Sequence, residues 1–164
     1  MLKIGITGHR NLNNSYINKY KLKSFHKLSE LKKEYSNIII YSALADGADR
    51  LVVHEALKLN IDFIAILPMD KNQYKTDFCI DSKKEFDSLL EKSKEIVTIP
   101  IYKKSKRDLQ YELVGQYISD NCDILFALWD DKYNNLQGGT SEIVKYHLEQ
   151  NKQLYHIKVD RNSI

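Results

Sequence analysis

The stretch LKIGITGHR, residues 2–10, begins as an apolar run, carries glycines at positions 5 and 8, and ends on a histidine and an arginine. A short continuous apolar run reads as a strand buried on both faces, the pattern of a parallel sheet. Gly8, His9 and Arg10 then fall in the turn at its carboxyl end. Five further runs have the same character: NIIIYSA (37–43), FIAILP (63–68), EIVTIP (95–100), DILFALW (123–129) and LYHIKV (154–159).

Helical periodicity fills the intervals. Between Ser15 and Tyr35, the residues Ile17, Tyr20, Phe25, Leu28, Leu31 and Tyr35 form one apolar stripe on a lysine-rich segment. Ala48–Leu59, Ser82–Ser93, Arg107–Asn121 and Ser141–Gln150 each carry an apolar face. Strands alternating with helices predict an α/β fold, a mostly parallel six-stranded sheet with helices on both faces and right-handed crossovers. The expected strand order is 4-3-2-1-5-6, which sets the first and fifth strands side by side. No repeat or linker divides the sequence, so one domain over residues 1–164 is expected, and the tail DRNSI (160–164) is expected to fray.

Composition narrows the function. The 164 residues are 43% hydrophobic and 29% charged, the balance of a folded globular chain. Lys+Arg 25 against Asp+Glu 22 is a weak basic excess, and runs such as LKKE (31–34) and KKSKR (103–107) read as solvated faces. A nucleic-acid-binding domain usually shows a basic stripe and a pI above about 9; here the pI is near 8.7, so no nucleic-acid partner is expected. Cys79 and Cys122 stand apart from any metal-spaced array, and no signal segment or membrane span is evident. The expectations are a cytoplasmic protein with no membrane partner, no metal and no cofactor. Eleven tyrosines and long apolar helices favour a homodimer or homotetramer.

Ligands of open parallel sheets bind beyond the carboxyl ends of the strands, at the switch point. The segments expected there are TGHR, SALADGADR (42–50), PMDKNQYKTDF (68–78) and DDKYNNLQGGTSE (130–142). They hold Gly8, Gly47, Gly138 and Gly139, with Gly5 just before. Glycines allow backbone N–H groups to approach a phosphate at a helix start. Thr140 and Ser141 begin a helix, where each hydroxyl either caps it or binds a phosphate oxygen. Arg10 and His9 are cationic or hydrogen-bonding groups at a strand tip and point to an anion. Asp46 reads most simply as an N-cap, Asp49 and Arg50 as paired with each other or with the neighbouring loop, and His54 as a helix-surface or core-edge residue. Trp129 reads as core or as a stacking wall. Neither GxGxxG with a following acidic residue nor GxxxxGK[ST] is present, which sets aside common dinucleotide and P-loop sites.

Taken in order, GITGHR, SALADGADRLVVHEAL, ILPMDKNQYKTDF, VGQYISDNCDILFALWD and GGTSEIV resemble the SLOG superfamily, from about Ile4 to Val144. This group is related to the Lonely Guy phosphoribohydrolases and to the DNA-processing protein DprA. The resemblance implies a Rossmann-like three-layer sandwich and a nucleotide-derived ligand. SLOG domains are considered sensors in bacterial conflict systems, and in Thoeris-type defence such a domain binds a cyclic ADP-ribose isomer. Carried over by motif, the ligand-binding residues are Gly8, His9, Arg10, Ala45, Asp46, Gly47, Gly138, Gly139 and Thr140, with Ser141 beside them. Tyr74 and Asp77 are expected to close the pocket. The hydrolases carry PGGxGTxxE, whereas this chain reads LQGGTSEIV, with Ile143 where the final Glu falls and Glu142 one position earlier. Binding by a stand-alone sensor or sequestering protein is therefore the leading expectation. The alternative is an N-glycosidase that releases a base from a nucleoside monophosphate, with Glu142 and Asp46 as its carboxylates.

Overall fold

The computed structural model describes residues 1–101 and 106–162. Positions 103–105 of the basic run KKSKR and the last two residues of DRNSI lie outside them.

The strands are β1 (Leu2–Gly8), β2 (Ile38–Ser42), β3 (Asp62–Leu67), β4 (Glu95–Thr98), β5 (Ile124–Trp129) and β6 (Gln153–Lys158). They form one sheet in the order β4-β3-β2-β1-β5-β6, with every pairing parallel. The helices are α1 (Ile17–Glu34), α2 (Ala48–Lys58), α3 (Lys71–Tyr74), α4 (Ile80–Lys92), α5 (Arg107–Asn121) and α6 (Thr140–Glu149). The α/β class and the predicted strand order are what the structure shows. From β1 the chain steps outward through β2, β3 and β4, then returns across the sheet to β5. The switch point therefore lies between β1 and β5, where Gly8 is in register with Leu128.

Burial explains the strand composition. All six residues of β5 are buried, since the strand is central and both faces are covered. Ile4, Ile6, Ile40, Phe63 and Phe126 pack on one face with Leu28 of α1, Val52 of α2 and Phe86 of α4. Leu125 and Ile66 pack on the other with Val114 and Ile118 of α5 and Ile143 of α6. Each large apolar side chain buried in this way contributes about 1.5–3 kcal/mol.

Four sequence expectations change. The stripe on α1 is narrower than predicted: Tyr20, Leu28 and Leu31 are buried, but Tyr35 lies past the helix end and is exposed. The loop after β3 folds into α3 and a 3₁₀ turn over Lys75–Asp77, because Asp70 accepts the Asn72 N–H at 2.9 Å and caps it. The tail is held through residue 162: the Asp160 N–H donates to the Tyr20 hydroxyl at 2.7 Å, and Arg161 bridges to Leu12. Gly5 lies within β1, where a Cβ would stand 2.6 Å from Ile118 and 2.9 Å from Cys122. Its role is close packing of α5 on the sheet.

Candidate functional site

A cleft of about 360 Å³ opens at the switch point. It is lined by the end of β1, the segments after β1, β2 and β5, and the facing sides of α5 and α6. Its inner wall is apolar, built from Ile6, Ala43, Val114, Ile118 and Ile143. Gly115 belongs to this wall, and a Cβ there would lie 2.5 Å from Ile143, so α5 and α6 approach closely behind the cleft.

The loops that frame the mouth hold one another. His9 N–H donates to Leu128 O at 3.1 Å, and Ala48 N–H donates to His9 O at 3.1 Å. The start of α2 is thus satisfied by the loop after β1. A Cβ on Gly8 would meet Ala48 Cβ at 2.4 Å, so the absence of a side chain permits this approach. Gly47 has φ +81°, and a Cβ there would meet Arg10 O at 2.4 Å; the turn needs both the left-handed backbone and the missing side chain.

Of the residues singled out in the sequence, Gly8, His9, Arg10, Ala45, Tyr74, Gly138, Gly139 and Thr140 line this cleft together. The Arg10 side chain is 41% exposed; its guanidinium sits 5.2 Å from the Tyr111 ring centre, and Nη1 lies 3.9 Å from Asp77 Oδ2. This leaves it solvated enough to exchange water for an anion. His9 is buried. Its Nε2 accepts the Asp130 N–H at 3.1 Å and lies 3.1 Å from Asp130 Oδ1. Burial holds the imidazole below its usual pKa, against the opposing hydrogen bond to Asp130, so the ring is neutral near pH 7. His9 therefore ties the loop after β1 to the end of β5.

Of the other singled-out residues only Asp49 lines the cleft. Asp46 does not cap α2: Gly47 occupies the N-cap position, while the Asp46 carboxylate accepts from the Ser82 hydroxyl and lies 3.1 Å from Arg50 Nη1. Arg50 reaches away from the cleft to Leu44 O and Ser82 O and stacks 4.6 Å from the Phe78 ring centre. Ser141 is buried, and its Oγ accepts the Asn134 N–H at 3.2 Å. Glu142 Oε1 accepts the Gly138 N–H at 3.0 Å, one turn back along its own loop. Asp77 accepts from Tyr111 and Arg107. Trp129 is core: it is buried and stands 5.2 Å from His156. His54 is on the surface, as read from the sequence.

Sequence reasoning gave no ligand role to several lining residues: Asp49, read there as a pairing residue, and Asp108, Tyr111, Asn134, Gln137 and Arg161. Asp49 is the most unusual. It is 6% exposed, and its Oδ2 accepts the Ala45 N–H at 3.1 Å. Burial pushes its carboxyl up to about 7, against the pull of that hydrogen bond and of Arg10 and Arg50. The one available sign was its place three residues after Asp46, in the first turn of the helix that follows the second strand. Among the described residues no group of His, Cys, Asp and Glu is arranged to hold a metal, and no helix is long and apolar enough to cross a membrane.

No protein-family model and no curated protein matches the sequence. Solved structures do match. DNA processing protein A (DprA) from Streptococcus pneumoniae superposes with a TM-score of 0.67 at 15% identity, over 100% of this chain and 52% of that one. DprA from Helicobacter pylori, whose structure describes a unique single-stranded DNA binding mode, gives 0.62 at 19% identity over 94% and 64%. The structural-genomics target TM1055 gives 0.57 at 13% identity over 94% and 72%. The chain thus spans about half and just under two thirds of the two DprA chains. One expectation is corrected here: a weak basic excess does not rule out nucleic acid, because a protein of this fold binds single-stranded DNA. The likenesses establish the architecture, a Rossmann-like fold shared with the DprA and TM1055 structures.

Proposed function

We propose that the switch-point cleft binds a nucleotide-derived small molecule, of the nucleoside phosphate, ADP-ribose or cyclic ADP-ribose type, and that the protein acts as its sensor or sequestering agent. The observation that carries this reading is the presence, in one cleft, of an apolar inner wall, a solvated guanidinium, Arg10, and the glycine-rich start of α6. A flat ring fits the first and a phosphate the second. The volume of about 360 Å³ is in the range of small-molecule sites. Binding without turnover is favoured over N-glycoside cleavage by the placement of the two expected carboxylates. Glu142 is engaged by the Gly138 N–H, and Asp46 by Ser82 and Arg50.

The test is a panel of AMP, dAMP, CMP, ADP-ribose, NAD and cyclic ADP-ribose isomers, followed by thermal shift and by chromatography in the same samples. A ligand at about 100 times its Kd adds about 2.7 kcal/mol to stability. The expected result is a shift without product, abolished by Arg10→Ala. Release of free base that is lost in Glu142→Gln would replace this reading with hydrolysis.

A further inference from the structure

Resting on the binding reading above, we propose that Asp49, together with Tyr74, recognises the ribose hydroxyls of the ligand and sets the preference of the cleft for ribose over deoxyribose. Both residues line the cleft, and both are almost entirely buried, at 6% and 1% exposure. Among the described residues, the Asp49 carboxyl receives one hydrogen bond, from Ala45 N–H to Oδ2, and the Tyr74 hydroxyl has none. The buried side-chain atoms left without a partner among the described residues are Ser24 Oγ, Arg50 Nη2 and Gln110 Oε1, so the Asp49 carboxyl and the Tyr74 hydroxyl are not buried orphans; as polar groups lining a cleft whose inner wall is otherwise apolar, they are the ones a ligand's polar atoms can meet there. A carboxyl beside a phenol calls for neighbouring O–H or N–H donors.

Position selects between the donors a nucleotide offers. Asp49 enters from α2, close enough to Arg10 that the guanidinium acts on its charge, while Arg10 itself leans over the Tyr111 ring of α5 at 5.2 Å. The apolar wall of Val114, Ile118 and Ile143 is supplied from α5 and α6, on the opposite side of the sheet. In a nucleoside 5′-phosphate the sugar lies between phosphate and base. With phosphate at Arg10 and base against α5 and α6, the sugar hydroxyls are the donors that reach Asp49. Sequence reading placed Asp46 in the site; in the structure Asp46 is held by Ser82, and the carboxyl-bearing residues of the cleft lining are Asp49 and Asp108, of which Asp49 is the buried one.

The experiment uses calorimetric titration of the full chain with AMP, 2′-deoxy-AMP, 3′-deoxy-AMP and IMP, on wild type, Asp49→Ala and Asp49→Asn. Wild type is expected to favour AMP over at least one deoxy form by roughly tenfold or more, the usual effect of losing a hydrogen bond to a buried ionisable group. The ratio should fall to about one in Asp49→Ala and at least threefold in Asp49→Asn. The ratio compares two ligands on the same variant, so general loosening of the site cancels. Asp49→Asn is nearly isosteric and keeps an acceptor for the Ala45 N–H, which guards against a variant that fails to fold. AMP binding with an unchanged ratio in both variants overturns the assignment of Asp49 and leaves the binding reading intact. Discrimination of AMP from IMP that disappears in place of the deoxy discrimination reassigns Asp49 to the base and also overturns the proposal. If wild type binds none of these four probes, the assignment of Asp49 to the ribose of a nucleoside monophosphate falls, while the binding reading stands or falls separately on the wider panel with ADP-ribose and the cyclic ADP-ribose isomers.

Discussion

Arg107 Nε donates to Asp77 Oδ1 at 3.0 Å, across 30 positions of sequence, and so ties the start of α5 to the turn after β3. Arg107 also donates to Gln73 O at 2.7 Å and to Thr76 Oγ1 at 3.0 Å, and Tyr111 donates to the second Asp77 oxygen. The same carboxylate lies 3.9 Å from Arg10. Asp77 is therefore an internal anion beside the group proposed to hold a phosphate. Asp77→Asn is expected to strengthen binding of AMP or inorganic phosphate by roughly three- to tenfold while changing stability by less than about 1 kcal/mol. Titration calorimetry reads this directly. A weaker affinity would mean that Asp77 holds the cleft in its binding shape.

Gly47 combines a tight approach with a left-handed backbone. Its φ of +81° and the 2.4 Å at which a Cβ would meet Arg10 O act together. Gly47→Ala is expected to cost about 2–4 kcal/mol, from left-handed strain and displacement of the Arg10 backbone. Urea unfolding measures it, and a midpoint within error of wild type would show that the loop adjusts freely.

Asp49 makes stability depend on pH in a direction unusual for a carboxylate. Its folded pKa, about 7, is above the ordinary value of 3.8. Between those values the folded state holds a proton that the unfolded chain has lost. Stability from this group is thus fully present below about pH 4 and falls as pH rises through 7, by up to about 4 kcal/mol at 1.36 kcal/mol per unit. Asp49→Asn removes the dependence. It should be more stable than wild type at pH 8 by at least about 1 kcal/mol, and should lose that advantage at pH 5. Equal denaturation midpoints at pH 8 would contradict it.

His9 and His147 work in the opposite sense. Burial lowers both pKa values below 6.5, while the Asp130 contact of His9 and the Gln153 carbonyl at His147 oppose the shift. His147 is wholly buried, with Nδ1 2.8 Å from Ser119 Oγ and Nε2 2.9 Å from Gln153 O. A depressed histidine pKa means that the unfolded chain takes up protons first. This contribution is full above pH 6.5 and is lost as pH falls through the folded values. NMR titration of the ring protons should give midpoints below 6.5 for both residues, and a midpoint above 6.5 for either would reverse the sign. Ser119→Ala, which leaves Nδ1 of a buried ring without its partner, is expected to cost about 1–3 kcal/mol.

Much of the architecture was legible because it depends on local pattern. DILFALW and LKIGIT are apolar almost throughout since a central parallel strand is covered on both faces, and the helices between them show their stripes. The site was legible only as a set of segments. The loops after β1, β2 and β5 do converge, but which polar residue of each loop faces the cleft was misread for Asp46, Ser141 and Glu142. Asp46 and Asp49 are the same residue type three positions apart. Gly47 turns the chain between them, and their partners, Ser82 and Ala45, come from different parts of the molecule.

By itself, then, the amino-acid order determined the strands, the helices, their sequence along the chain and the edge of the sheet where the cleft opens. Periodicity and turn chemistry act over a few residues, so they can be read there. Tertiary structure alone decided that Asp49 is buried in the cleft, that His9 is a neutral tie to Asp130, and that Asp77 stands beside Arg10. Burial and charge at these positions are set by neighbours as far as 121 residues away along the chain, or by helices arriving from the other face of the sheet, and local pattern carries no record of them.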